Sequence, residues 1–124
     1  MTTNTKDVLF KALAIIKDPD NWTKGYYAKN ENGKNTLPDD PTAVKYSLLG
    51  ALWKASYELD PTSIKKSYWT TTTQCKMQIK SQYQINKTIQ KHMSNYLSTG
   101  RFNDAPETKH EDVIHILEKT IANL

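Results

Sequence analysis

The residues best suited to chemistry lie between Pro61 and Asn103, a stretch without a single Asp or Glu. It holds Lys65, Lys66, Lys76, Lys80, Lys87, Lys91 and Arg101, a local charge of +7, with Tyr68, Trp69 and Tyr83 interleaved. The rest of the chain carries 10 basic against 13 acidic residues, so charge is segregated rather than spread. Cations with aromatic rings among them suit a phosphate backbone and its stacked bases. They suit an acidic protein surface equally well. Six of the seven cations are lysine, a point charge rather than the planar fork that reads base edges. Any nucleic-acid binding is therefore expected to follow the backbone and to weaken with salt. The competing reading is a solvated lysine face, which is where lysine ordinarily sits.

A second cluster is Trp22, Tyr26 and Tyr27 within Asp20–Lys34, with Asn103 and Asp104 far along the chain. Together they could form a small-ligand site or a hydrolase centre, the rings acting as a stacking platform. The simpler reading is favoured. Trp22 plugs a gap between helices, one Tyr packs while the other faces water, and Asn103 and Asp104 hold their turn to the Trp22 loop. His110, Glu111, Asp112 and His115 resemble a metal cluster in type only. The two histidines are five apart, whereas a helical zinc pair needs four. Glu111 and Asp112 suit the positive end of a helix dipole, and His115 is placed to pair with Glu111 or Glu118. The doublets Asp18/Asp20 and Asp39/Asp40 stand beside prolines, as turn formers and caps do. Cys75 has no nucleophile motif around it, and the four glycines form no phosphate-binding loop. No cofactor and no metal are expected, and the reading leans away from an enzyme.

These residues need elements to hold them. Val8, Leu9, Ala12, Ile15 and Ile16 recur at helical spacing behind Thr5, a candidate cap, and Pro19 ends the pattern. Asn32-Gly33 favours a type I′ turn, so a short β-ribbon follows, with an irregular loop as competitor. Asp40 and Pro41 read as cap and first position of a second helix running to about Glu58. Its face would carry Val44, Leu48, Leu52 and Leu59, beside a ridge of Ala43, Ser47, Ala51 and Ala55. Gly50 in mid-helix implies another backbone packed close, at a crossing. Tyr68 to Lys80 reads equally as strand or helix, because Cys75, Met77 and Ile79 alternate with polar residues. Ile85, Ile89, Met93, Tyr96 and Leu97 then predict a helix closed by Gly100 in a left-handed cap. Thr108 and Glu111 form a capping box ahead of Val113, Ile114, Leu117, Ile121 and Leu124.

Length and composition bound the rest. With 124 residues, 37% hydrophobic and 24% charged, the chain is one domain's worth. A single cysteine permits no internal disulfide and suits a reducing compartment. "MTTNTKDVLF" has no basic region followed by an apolar run, and no stretch is long enough to span a bilayer. A cytoplasmic location is expected, with no membrane partner, and the sequons at Asn21 and Asn86 carry no weight.

Three pieces in order, "DPDNWTKGYYAKNENGK", "DPTAVKYSLLGAL" and "FNDAPETKHEDVIHILEKTI", resemble a family of small bacterial and phage proteins of unknown function. The matching positions are Trp22, Ala28 and Gly33; Asp40, Pro41 and Ala43; Gly50, Ala51 and Leu52; and Asn103, Asp104 and Pro106. Tyr57 to Thr99 shows no counterpart. Where that family often carries a cysteine, this chain has Ser47, so the position asks for a small residue. The resemblance implies a mostly helical domain and no particular reaction. The sequence thus predicts one mainly α domain over residues 1–124, about four helices with a β-ribbon or Trp-bearing loop after the first. Helices one, two and four are expected to form the core. The leading functional expectation is a non-enzymatic binding protein that meets an acidic macromolecular surface through its lysines, such as a phage or mobile-element inhibitor of a host nucleic-acid-handling complex. Direct nucleic-acid binding and a ligand site at the Trp22 loop are the alternatives.

Overall fold

The computed structural model describes residues 5–59, 76–92, 96 and 98–124. Lys65, Lys66, Tyr68, Trp69 and Cys75 therefore lie outside the described residues, as do Met93 and Leu97. The described chain is mainly helical with a small antiparallel sheet. The helices are α1 (Thr5–Ile16), α2 (Leu48–Leu59), α3 (Lys76–His92), α4 (Thr99–Asp104) and α5 (His110–Ala122). The strands are β1 (Ala28–Asn30), β2 (Asn35–Thr36) and β3 (Ala43–Tyr46), in spatial order β2-β1-β3.

The ribbon expected around Asn32-Gly33 is present as β1 and β2, but its turn is not type I′. That turn needs positive φ at both central residues, and here Gly33 alone has it, at 78°. Instead the Gly33 amide donates to Asn30 O at 2.9 Å, and Asn30 Oδ1 accepts from the amides of Asn32 and Lys34. The asparagine side chain thus organises the loop from its first residue, in the manner of an Asx-turn.

The second helix starts later than Asp40-Pro41 suggests, and a third strand occupies the space. Asp40 Oδ1 accepts from the Thr42 amide (2.8 Å) and hydroxyl (2.7 Å), while the Ala43 amide returns to Asp40 O at 3.0 Å. Asp40 therefore closes a turn, and those bonds from Thr42 hold its carboxyl below the usual carboxylate range. Ala43 to Tyr46 then pair with β1, with a bulge at Lys29/Asn30. Val44, expected on a buried helix face, is exposed on β3. Ser47 caps α2 instead, its hydroxyl accepting the Gly50 amide at 3.0 Å.

Gly50 meets a close backbone, as its cost in a helix suggested, but the neighbour is a loop and not a crossing helix. A Cβ there would sit 1.8 Å from Tyr27 O. Tyr27 O also accepts the Ser47 amide at 3.0 Å and its hydroxyl at 3.3 Å. The first turn of α2 is thereby pressed against the Tyr27 peptide, and only a residue without a side chain fits.

One cluster of buried side chains joins all five helices. It includes Leu9 and Ile16 of α1, Leu48 and Leu52 of α2, Ile85 and Ile89 of α3, Phe102 of α4, and Val113, Ile116 and Leu117 of α5. The core thus draws on α3 as well as on the three helices first expected to form it. Residues 76–80 are helical, which resolves the strand-or-helix ambiguity there, while 68–75 lie outside the described residues. Gly100 lies within α4, capped by Ser98, rather than ending a helix. At α5 the cap falls one residue late: Lys109 holds the position, and its amide donates to Asp112 Oδ2 at 2.9 Å. Thr108 and Glu111 do not make the expected box. Ile116 completes the buried stripe, and Leu124 is exposed.

Candidate functional site

Two regions carry the residues singled out in the sequence. At the first, Asn103 of α4 is 1% exposed and bonded on every side. Its Oδ1 accepts the Trp22 Nε1–H at 2.7 Å and the Leu48 amide at 3.0 Å. Its Nδ2 donates to Thr23 O at 3.2 Å and to Asp104 Oδ1 at 2.9 Å. One buried amide therefore fixes the Trp22 loop, satisfies a first-turn donor of α2 and orients Asp104. Asp104 Oδ1 also accepts the Gly25 amide at 3.0 Å, and Lys24 Nζ donates to Ala105 O at 2.6 Å while lying 5.6 Å from the Trp22 ring centroid. Asn103 and Asp104 do hold their turn to the Trp22 loop. His110 packs behind, its ring centroid 5.9 Å from that of Trp22. Its Nε2 meets Ile16 O at 2.6 Å and, since a carbonyl only accepts, carries the proton.

Trp22 is half-buried and packs against the core, as a plug would. The tyrosines depart from expectation. Both are 39% exposed, where one was expected to pack. Their rings meet edge to face at 5.6 Å, and Tyr27 continues to Trp53 at 5.5 Å. Gly50 sets this up: the Tyr27 backbone fills the space over the first turn of α2, and its ring lies further along the helix against Trp53. A cleft of about 220 Å3 opens beside them, lined among others by Tyr26, Tyr27, Ser47, Leu49, Asn103 and Asp104.

The second region is the outer face of α3. Lys80, Tyr83, Lys87 and Lys91 follow at i, i+3, i+7 and i+11, so a helix brings them onto one stripe. All four are exposed, Tyr83 by 60%. Lys87 Nζ lies 5.5 Å from the centroid of the Tyr83 ring, a cation–π arrangement. Asn86, Lys87, Gln90 and Lys91 line an open depression with Tyr83. The opposite face of the helix buries Ile85, Thr88 and Ile89, and Thr88 Oγ1 accepts from Thr120 Oγ1 of α5 at 2.7 Å. Packing thus dictates which way the lysines point. Lys76 begins the helix, and Arg101 is exposed on α4.

The end of α3 meets groups on α5 that the sequence does not announce as its neighbours. His92 is held below its ordinary value, first by desolvation and then by the charges of Lys119, Lys91 and His115. Lys119 and His115 belong to α5, which also carries Glu111, Asp112 and Glu118, so the cationic stripe remains a feature of α3. Proximity of two helices distant in sequence brings these groups together, and no local pattern carries that signal. Among the described residues no group of His, Cys, Asp and Glu is arranged to hold a metal ion, and no helix is long and apolar enough to cross a membrane.

Fold and surfaces together define a small, mainly helical protein with a clamped aromatic loop on one side and a cationic helix face on another. The chain belongs to a family of unknown function, DUF6197, which matches it over residues 1–123 and so takes in the stretch from Tyr57 to Thr99 as well. No curated protein and no solved structure matches the chain.

Proposed function

We propose that this protein is a non-enzymatic binding protein that lays the α3 face on an acidic surface of a macromolecular partner, with a nucleic-acid-handling complex as the kind of partner it would inhibit. The observation that carries the reading is the stripe of Lys80, Tyr83, Lys87 and Lys91, exposed on a helix whose sequence contains no acidic residue. Among the described residues the ion pairs are Lys11–Glu58 and Lys54–Glu58, and neither involves α3. Charges without an ion pair among the described residues are open to an external counter-charge, which would steer association and fix register. A phage or mobile-element setting is part of this proposal on the strength of the sequence resemblance alone. Direct nucleic-acid binding is the second reading, favoured by Tyr83 standing exposed between cations where a base could stack.

The test is retention by the tagged protein from nuclease-treated and untreated lysate of the source cell, with Lys80→Glu/Lys87→Glu/Lys91→Glu alongside. A protein retained after nuclease, and lost with the triple variant, supports docking on an acidic protein. Material lost with nuclease moves the assignment to nucleic acid. Retention unaffected by the triple variant overturns both.

A further inference from the structure

We propose that the cleft between Tyr26, Tyr27, Leu49 and Asp104 binds a small organic cation, a ring-bearing primary amine being the class it fits best. This site is separate from the α3 face and stands independently of its reading. Three features converge. The first is charge: among the described residues, Asp104 is the one carboxyl side chain lining the cleft, and no lysine or arginine lines it. Its orientation is fixed, because Oδ1 accepts from both the Gly25 amide and Asn103 Nδ2. Oδ2 has no partner among the described residues, and no lysine or arginine there forms an ion pair with the carboxylate. Lys24, the nearby cation, is committed to Ala105 O and the Trp22 ring. The second is the pair of rings. Tyr26 and Tyr27 stand edge to face and 39% exposed at the cleft, and Trp53 braces Tyr27 from behind. Tyrosine faces attract an ammonium through the ring quadrupole, and Leu49 adds apolar surface for a carbon skeleton. The third is preorganisation. The walls come from the Trp22 loop, the first turn of α2 and the end of α4, which Asn103 locks together. A volume of about 220 Å3 has room for a single ring with a short arm.

The experiment titrates benzylamine into the full-length 15N-labelled protein, with benzyl alcohol as a neutral isostere. It follows the Gly25 amide, which bonds to Asp104 directly. Benzylamine is expected to shift that resonance saturably, and benzyl alcohol to bind at least tenfold more weakly. Asp104→Asn keeps an oxygen for the Gly25 amide and is expected to weaken benzylamine at least tenfold. Tyr26→Ala alters an exposed side chain and is expected to weaken it at least threefold with an unchanged Tm, so it decides the matter should Asp104→Asn fold poorly. Lys87→Glu on the α3 face is expected to leave the affinity within twofold. Equal binding of the alcohol, shifts that do not saturate or centre away from the cleft, or full affinity in Tyr26→Ala would each overturn the proposal.

Discussion

Asn103 and Lys87 sit in neighbouring helices and use their polarity in opposite ways. Asn103 is buried, and both its amide atoms bond to protein atoms drawn from three segments. Lys87 is exposed, and its charge meets a tyrosine ring and solvent. Polar groups turned inward are consumed by the fold, because a buried donor or acceptor left unpaired costs about 1–3 kcal/mol. Charges turned outward contribute little to stability, so a stripe of them on one helix face can be changed without unfolding the protein. The two regions therefore differ in what a substitution should damage.

The largest effect is expected at Gly50. Ala there places a methyl 1.8 Å from the Tyr27 carbonyl, so the loop or the first turn of α2 must move. A loss of about 4 kcal/mol, among the larger single-residue costs, is the expectation, measured by urea unfolding. A variant as stable as the parent would show that the contact yields freely. Next comes Asn103→Ala, which orphans Trp22 Nε1, the Leu48 amide and Thr23 O together. About 3 kcal/mol is expected, accompanied by a changed Trp fluorescence spectrum as Trp22 loses its acceptor.

A smaller effect separates the clamp's surroundings by pH. The Tyr96 hydroxyl donates to the Glu107 carboxylate. That bond chiefly lowers the Glu107 pKa below 4.5 and raises that of Tyr96 above 10.0. For Glu107 the contribution is present above 4.5 and fades as pH falls through the lowered folded value. For Tyr96 it is present below 10.0 and fades as pH rises through the raised one. Stability should therefore hold a plateau between these limits, and Glu107→Gln should flatten both slopes in a Tm-against-pH series. Unchanged slopes in that variant would assign them to other groups.

The same contrast explains what could be read from sequence. Inward-facing patterns were legible: the repeats at Val8, Leu9 and Ala12 and at Ile85 and Ile89 mark buried faces, because burial imposes periodicity. The tie between Asn103, Asp104 and the Trp22 loop was also legible in outline from residue type. Local punctuation misled. Asp-Pro opens a turn as readily as a helix, and at Asp40 the Thr42 hydroxyl and amide settle it as a turn. Thr108 had the residue type for a cap, yet Lys109 holds that position through Asp112. The exposure of Tyr27 depends on a backbone contact with Gly50, 23 residues away, which no window of sequence contains. The nearness of Lys119 to His92 depends on α3 meeting α5.

The most direct test sets the two regions side by side. Asn103→Ala and Lys80→Glu/Lys87→Glu/Lys91→Glu are each measured for Tm and for retention of the partner captured by the parent protein. Asn103→Ala is expected to lower Tm by roughly 10 °C. The lysine variant should keep its stability within about 0.5 kcal/mol of the parent and lose the partner. A lysine variant that keeps the partner at parent strength would contradict the claim that the α3 face is what this fold presents to the outside.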